Sequence, residues 1–433
     1  MLMISVDGMK PEYATHADDY HLKVPFLRSL IAEGAFAEGV EGVWPTSTYP
    51  SHTTLLTGVS PAEHGVYNNQ EFDPRRKFGD SWYWYAHQIR VPTLWQIAHD
   101  AGSSTASVGW PVSVGATAVD FLIPEYWRVF QPTDDLNPSD RNLIADLSRP
   151  EGLVREMQVR LGPYLMGNDT SVSADETKTR YAIDILRKHR PRFMTIHLSS
   201  LDSVEHAHGP FSAEANRDVE AIDDMLSRLV AAARANDPAA VTVVVSDHGF
   251  VPLTAQLNLF IPFIQAGLIE ATIDPGTKTA TVTDWRAEPW PAGGMAAVML
   301  HDHDDPRTSA QVRDLLRRLA ADPKNGIADI LEREALSKQG GFPDASFVVV
   351  MKPGFYTGGA FNDQLVTDMR GHGGHGFAPS YPEMRSAFFV VGTGISRHRD
   401  LGLIDMRQIA PTVAQLLGVT MPTARANPLP VRQ

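Results

Sequence analysis

The stretch Val241-Thr242-Val243-Val244-Val245-Ser246-Asp247-His248-Gly249 carries the strongest fold signal in the chain. Its five apolar or β-branched residues in a row predict a strand buried on both faces, as in a parallel sheet covered by helices. Asp247 and His248 follow this strand directly. Burying a carboxylate and an imidazole at a strand end is costly unless something pairs with them, and a metal ion would do so.

Outward from this stretch, the chain alternates predicted strands and helices. We predict strands at 2–6, 40–43, 106–109, 193–198 and 387–391, and helices at 25–33, 93–100, 143–161, 174–188, 213–235 and 407–417. This alternation is typical of an α/β fold with a mainly parallel central sheet flanked by helices. In such sheets, functional groups gather at the carboxyl ends of the strands.

The pattern changes between residues 251 and 369. Short predicted strands at 271–273, 279–282 and 296–300 accompany helices at 258–267 and 309–321. We therefore predict an inserted α+β subdomain at 251–369, with a catalytic core formed by 1–250 and 370–433. The His-Asp-rich cluster 301–305 has the composition of a metal site, but a solvated turn is favoured because no second element supplies further ligands.

Length and composition exclude several classes of protein. With 433 residues, 43% of them hydrophobic, the chain can bury a large core. No apolar window is long enough for a membrane span, and the absence of cysteine excludes disulfides and thiolate metal sites. A formal net charge of −13 argues against a general nucleic-acid surface. The first residues lack the pattern of a signal peptide, which leaves a cytoplasmic protein or a trimmed leader.

The segment Pro45-Thr46-Ser47-Thr48-Tyr49-Pro50-Ser51-His52 places a hydroxyl at the start of a predicted helix that ends at Gly58. Pro50 is expected to be the first helical residue. Thr48 would then meet free N–H groups and the positive end of the helix dipole, which favour an oxyanion or a phosphate. Thr48 is the candidate nucleophile, and a plain helix cap is the alternative.

Other polar residues follow predicted strands. Asp7 comes directly after one strand, although Asp-Gly is also a common turn. Asp202 and His206 follow another strand, and one helical turn would bring them to the same face for metal ligation or a surface pair. Asn69 lies in a turn-rich loop as a turn residue or a phosphate-oxygen donor. The aromatic stretch 81–85 is expected to line a pocket or to pack in the interior.

Taken together, these residues resemble the alkaline phosphatase superfamily, and within it the type I phosphodiesterase/nucleotide pyrophosphatase family. The motifs that carry the resemblance span nearly the whole chain, as Asp7-Gly8, 45–52, His64-Gly65 with Asn69, Asp202 with His206, 246–249, His375-Gly376-Phe377 and 404–412. The resemblance implies an alkaline phosphatase-like fold and hydrolysis of phosphodiester or phosphoanhydride bonds in small-molecule or nucleotide substrates. It also suggests a periplasmic or secreted location.

The resemblance further implies two zinc ions, with Mn²⁺ or another divalent ion as the alternative. One ion would be held by Asp202, His206 and His375, and the other by Asp7, Asp247, His248 and the Thr48 oxygen. Thr48 would form a phosphothreonine intermediate, and Asn69 would bind a phosphoryl oxygen. Tyr49 would face a nucleobase, with Tyr126 as the opposite wall, taken from the irregular stretch 121–142 that we interpret as a lid or substrate-facing excursion. His208 and His372 are expected outside the ligand set.

The sequence departs from the family pattern at positions that leave the identity of the substrate undecided. Leu201 stands where the family often has Pro, and Phe250 where Met is common. The alternatives are a phosphonoacetate hydrolase-like enzyme, a lipid-headgroup phosphodiesterase or a non-catalytic metal-binding protein. A sulfatase is disfavoured because its formylglycine precursor motif is missing. The sequence makes no prediction of oligomeric state.

Overall fold

We describe a computed structural model of the chain, covering residues 1–75, 81–128, 142–164, 169–273, 280–358 and 364–432. Residues 129–141 of the predicted excursion lie outside the described residues. None of the helices in these ranges is long and apolar enough to span a bilayer.

The strands within these ranges are numbered in chain order. They are β1 (Leu2–Val6), β2 (Ala35–Phe36), β3 (Gly39–Glu41), β4 (Thr105–Val108), β5 (Phe121–Ile123), β6 (Phe193–Leu198), β7 (Val241–Val245), β8 (Val251–Pro252), β9 (Ala255–Asn258), β10 (Ile269–Ile273), β11 (Ala280–Trp285), β12 (Ala287–Pro291), β13 (Met295–Leu300), β14 (Ile327–Glu332), β15 (Phe347–Met351), β16 (Phe355–Gly358), β17 (Val366–Asp368), β18 (Gly373–Gly374), β19 (Phe388–Gly392), β20 (Arg399–Asp400) and β21 (Leu403–Asp405).

The helices are numbered in the same way. They are α1 (Glu12–Thr15), α2 (Pro25–Glu33), α3 (Thr48–Thr57), α4 (Pro61–His64), α5 (Leu94–Asp100), α6 (Leu143–Leu147), α7 (Leu153–Leu161), α8 (Val172–His189), α9 (Ser200–His208), α10 (Ala213–Asn236), α11 (Phe260–Gln265), α12 (Pro306–Ala321), α13 (Arg333–Leu336) and α14 (Ile409–Leu417).

A central sheet organises the molecule. Among the described residues its strand order is β20-β2-β19-β7-β1-β6-β4-β5. β19 runs antiparallel to β7 and β2, and the other neighbours are parallel. This confirms the predicted mainly parallel α/β sheet. Because β1 pairs in parallel with β6 and β7, the residues that follow these three strands meet at one edge.

Side chains from the two faces of the sheet enter separate cores. On β1, Leu2, Ile4 and Val6 pack into a core with α2, α8 and α10. Met3 points the other way, into a core with α3, α5 and α14. This is the period of two expected for a strand covered on both faces.

Several predicted boundaries were wrong. α3 begins at Thr48 rather than Pro50, because the preceding Ser47 is extended and forms the cap. The predicted helix 143–161 is two helices separated near Pro150, which cannot donate a backbone hydrogen bond. The predicted strand 40–43 is the shorter β3, which pairs with β21 outside the central sheet.

The region between β7 and β18 builds its own sheets. β12, β13, β15 and β14 form an antiparallel sheet, and β16, β9 and β17 form another small sheet. Sequence reasoning missed β8, β12 and β14 to β17, and read part of β9 as helix. Most of these strands lack a long apolar run, but β15 is the apolar run Phe-Val-Val-Val-Met, a strand signal that was overlooked. The limits 251–369 of the inserted subdomain remain a prediction.

Ile4→Ala should lower the free energy of unfolding by about 2–5 kcal/mol. Ile4 is fully buried in the central strand, so the substitution leaves a cavity between the sheet and its helices. Urea unfolding would measure the loss. Val159→Ala is the control, because Val159 is 87% exposed and should change stability by less than about 0.5 kcal/mol. A similar loss in both variants would contradict this account of the core.

Candidate active site

Thr48 is the first residue of α3 and lies at the carboxyl edge of the central sheet. Ser47 takes the cap position, and its side chain makes no capping hydrogen bond. The hydroxyl Oγ1 of Thr48 lies 3.4 Å from Nε2 of His248. Thr48 is therefore not the helix cap, and its hydroxyl faces the side chains that follow β7.

One group of candidate metal ligands adjoins this hydroxyl. Asp7 follows β1, and Asp247 and His248 follow β7; one ligand atom from each lies within 4.8 Å of the other two. Nε2 of His248 is 3.4 Å from Oδ1 of Asp7 and 3.1 Å from Oδ2 of Asp247. All three residues are buried.

A second group comes from α9 and the loop after β18. Asp202 and His206 share one face of α9, as predicted, and His375 joins them. Oδ1 of Asp202 lies 3.5 Å from Nε2 of His206 and 3.8 Å from Nε2 of His375. The His375 ring stacks on the His248 ring with centroids 3.7 Å apart, so the two groups are neighbours.

Backbone carbonyls orient two of the imidazoles. Nδ1 of His206 lies 3.1 Å from the Gly373 carbonyl oxygen, and Nδ1 of His375 lies 3.0 Å from the Thr46 carbonyl oxygen. A carbonyl only accepts, so each Nδ1 carries the hydrogen and each Nε2 keeps a lone pair for a metal. Burial and the neighbouring His248 lower the pKa of His375 well below its usual value, which keeps this ring neutral.

The carboxylates leave oxygen atoms that suit a cation. Oδ1 of Asp7, Oδ1 of Asp202 and Oδ2 of Asp247 are buried without a hydrogen-bond partner among the described residues. Burial and the carboxylate of Asp247 raise the pKa of Asp7 well above its usual range. Unpaired buried carboxylate oxygens are costly, and a divalent cation would offset that cost. Nitrogen and oxygen atoms of this kind fit zinc and similar ions.

Asn69 is fixed beside the start of α3. Its Oδ1 accepts a hydrogen bond of 2.9 Å from the backbone N–H of Tyr49. The amide nitrogen Nδ2 is the other end of this group, so it remains available to donate to an oxygen near Thr48. The role of Asn69 as a neutral phosphoryl-oxygen donor stays a prediction.

A cavity of about 280 Å³ opens beside these groups. Its walls include Thr48, Asn69, Asp7 from the first ligand group and all three residues of the second, together with the aromatic residues Tyr49, Trp82, Trp127 and Tyr164. The Tyr49 ring lies 5.1 Å from the Trp82 ring, measured between centroids. The cavity can therefore take an apolar or aromatic substituent next to the candidate metal site.

Comparison with known sequences decides the family. The profile of the type I phosphodiesterase / nucleotide pyrophosphatase family matches residues 1–378. The chain belongs to this family. It is 23% identical over 260 residues to ectonucleotide pyrophosphatase/phosphodiesterase family member 1 of Rattus norvegicus, covering 57% of this chain. It is 24% identical over 238 residues to bis(5'-adenosyl)-triphosphatase ENPP4 of Pongo abelii, covering 53% of this chain.

The chain spans 24% of the length of the rat protein and 42% of the Pongo abelii protein. Solved structures agree on the fold over almost the whole chain. Human ectonucleotide pyrophosphatase/phosphodiesterase 5 matches 97% of this chain and 95% of its own, with a TM-score of 0.64 and 16% identity. The murine protein, as an inactive threonine-to-alanine variant in complex with AMP, matches 99% and 96% with a TM-score of 0.67 and 16% identity. The fold of this phosphodiesterase family member is thus alkaline phosphatase-like.

Sequence reasoning missed two polar residues behind the site of this family member. His197 lies on β6 with Nε2 3.0 Å from Oδ2 of Asp7. Glu125 follows β5, and its Oε2 lies 3.1 Å from Nδ1 of His197. Burial raises the pKa of Glu125, but hydrogen bonds with His197 and Tyr49 outweigh it and leave a net lowering. The one sequence feature that could have pointed to His197 is that it is a single histidine within the otherwise mainly apolar stretch 193–198.

Tyr126 packs against the aromatic residues near the cavity, and its expected place opposite Tyr49 stays a prediction. Its ring contacts Trp84 with centroids 5.3 Å apart, and the neighbouring Glu125 and Trp127 line the cavity instead.

The remaining histidines lie outside the two ligand groups. His208 and His372 are exposed, and Nδ1 of His372 lies 3.2 Å from the His206 carbonyl oxygen. Residues 301–304 are also exposed, and Asp305 caps α12 by accepting from the Arg307 N–H. This cluster therefore has the placement of the solvated turn favoured from the sequence.

Proposed function

We propose that the protein is a two-metal phosphodiesterase that cleaves phosphodiester or nucleotide pyrophosphate bonds through a phosphothreonine intermediate. The observation that carries the proposal is that two groups of candidate metal ligands lie beside the Thr48 hydroxyl, at the start of a buried helix. The polar atoms that converge there would be costly to bury without cations.

Asp7, Asp247, His248 and the Thr48 oxygen would hold one zinc ion, and Asp202, His206 and His375 the other. Mn²⁺ or another divalent ion is the alternative. When bound, such ions supply a positive charge that polarises the phosphoryl oxygen and favours the alkoxide of Thr48.

The residues of the chain would then carry out an in-line displacement. Oγ1 of Thr48 attacks phosphorus, losing its proton to solvent, and the bond from phosphorus to the leaving oxygen breaks. The Nδ2 amide of Asn69 donates to a non-bridging oxygen as negative charge builds up there. Water then cleaves the Thr48–phosphate ester and restores the hydroxyl.

The cavity supports a retained substituent with an aromatic or nucleobase group. Tyr49 and Trp82 line the cavity next to Thr48 and would contact such a group. Aromatic faces of this type bind different bases, because every base has a π-face. The relative named for bis(5'-adenosyl)-triphosphatase activity and the neighbour solved with AMP make a nucleotide substituent the best-supported choice.

We expect the zinc-loaded protein to prefer diesters over monoesters by on the order of 100-fold in kcat/KM. A monoester carries an additional negative oxygen, and the donor beside Thr48 is the neutral Asn69. Among the described residues that line the cavity, Lys178 is the only Lys or Arg. Its Nζ already donates to Asp175 and Ser199.

The comparison uses 4-nitrophenyl phosphate, its methyl diester and the 4-nitrophenyl ester of thymidine 5'-phosphate. The leaving group is 4-nitrophenolate in all of these esters, so the ratio of their kcat/KM values reports the effect of the second substituent on phosphorus. Equal or faster hydrolysis of the monoester would contradict the preference. A protein with bound zinc that hydrolyses none of these esters would contradict the proposed function.

A further inference from the structure

A buried hydrogen-bond chain joins the cavity wall to one ligand group. The Tyr49 hydroxyl donates to Oε1 of Glu125 at 2.6 Å. Oε2 of Glu125 lies 3.1 Å from Nδ1 of His197, and Nε2 of His197 lies 3.0 Å from Oδ2 of Asp7. Each link is within hydrogen-bond distance, so the four side chains form one continuous network.

The network separates the two oxygens of Asp7. Oδ2 is held by His197, whereas Oδ1 is buried without a partner and faces His248 at 3.4 Å. A carboxylate held by one oxygen presents the other in a fixed direction. The orientation of Oδ1 therefore depends on where His197 is held. On the far side of that ring, Nδ1 lies 3.1 Å from Oε2 of Glu125 and 3.1 Å from the Gly109 carbonyl oxygen, so Glu125 is the side chain that holds it.

The other ligand group has different supports. Its histidines are oriented by the backbone carbonyls of Gly373 and Thr46. Glu125 lies in neither contact. A change at Glu125 should consequently affect one ligand group and spare the other.

We propose that Glu125 is a positioning residue that orients the ligating carboxylate of Asp7 through His197 and fixes the Tyr49 ring with its second oxygen. This inference rests on the proposed metal-binding function and extends it. The Glu125 carboxylate thus contacts both Tyr49, in the wall of the cavity, and His197, which holds the ligating Asp7. A change at Glu125 should therefore alter both the position of the Tyr49 ring and the orientation of Asp7.

The test measures zinc affinity in two single-site backgrounds. Asp202→Ala leaves the group of Asp7, and Asp7→Ala leaves the group of Asp202. Adding Glu125→Gln, which preserves shape, should weaken zinc binding about 10- to 100-fold in the first background. In the second background the zinc affinity should change by no more than about twofold, since the remaining ligands Asp202, His206 and His375 are not held by Glu125. Competition with a chelating dye measures both values.

Asp169→Asn is the matched control, because it removes the same charge from the wall of the same cavity. The Asp169 carboxylate accepts a hydrogen bond from the Ser171 N–H, whereas the hydrogen-bond contacts of the His197 ring among the described residues are with Gly109, Glu125 and Asp7. It should change zinc affinity in the Asp202→Ala background by no more than about twofold. His197→Asn breaks the chain at another link and should reproduce the loss caused by Glu125→Gln, which covers the case in which one variant fails to fold.

If Asp169→Asn and Glu125→Gln lowered zinc affinity equally, the loss would be explained by the removed charge alone, and the inference would be overturned. Unchanged zinc affinity in folded Glu125→Gln and His197→Asn would also overturn it, while leaving the two-metal function intact. Failure of the unmodified protein to bind any divalent ion would overturn both proposals together.

Discussion

Thr48→Ala is expected to lower kcat for a nucleotide diester by roughly 10⁴- to 10⁶-fold, as for the loss of other enzymatic nucleophiles. The hydroxyl would be the attacking group, and alanine offers no atom that can form the phosphate ester. Zinc content should remain at or near two per chain, since the other proposed ligands are unchanged. Stability should change little, because Ser47 rather than Thr48 is the cap of α3.

Ser51→Ala is the matched control on the same helix. Ser51 is buried, and its Oγ has no hydrogen-bond partner among the described residues, so removing it should leave turnover nearly unchanged. Thr48→Ser should retain measurable turnover because it keeps a hydroxyl. Near-normal turnover of Thr48→Ala, with loss of stability alone, would show that the threonine is structural.

Asp247→Ala should release at least one zinc ion and reduce turnover by more than about 100-fold. Removing a residue that only hydrogen-bonds to a metal ligand already lowers metal affinity or activity by about 10- to 100-fold, and Asp247 is itself a proposed ligand. The side chain is fully buried between two strand ends, with Oδ1 held by the Gly8 N–H and Oδ2 facing His248. Metal analysis after dialysis against a weak chelator measures the loss directly.

Asp202→Ala provides the reciprocal measurement for the other group. Each variant should keep one ion, and combining them should remove both. Two ions retained in Asp247→Ala would show that this carboxylate is not a ligand. If both single variants lost both ions, binding at the two groups would be strongly coupled rather than separable.

The central sheet and much of the candidate site could be predicted from the sequence because their signals are local. The strand 241–245 and the adjacent Asp247 and His248 are contiguous in the chain. Asp202 and His206 lie one turn apart, so a single helix, α9, brings them together. The family resemblance then connected these local motifs, which spacing alone could not do.

Other features depend on contacts between distant parts of the chain. Glu125 and His197 are 72 residues apart, and neither has a motif of its own. Their contact follows from the parallel order β1-β6-β4-β5, which brings the carboxyl ends of β5 and β6 to the same edge of the sheet as the end of β1. β13 pairs with β15 and not with β14, the next strand along the chain, so its partner could not be deduced from local propensity.

The short ladder between β8 and β18 has a consequence for how this protein could diversify. Val251–Pro252 pairs with Gly373–Gly374, so the long segment between them departs and returns at one place. A Cβ on Gly373 would lie 2.4 Å from the Glu205 carbonyl oxygen, so this junction demands a residue without a side chain. Closing a loop costs only about 0.6 kcal/mol for each doubling of its length. The enclosed segment also holds His375, because the Gly294 N–H donates to the His375 carbonyl oxygen at 2.9 Å. Recombination could therefore enlarge this segment away from Gly294, while an exchanged segment would have to reproduce that contact to keep His248 and His375 stacked.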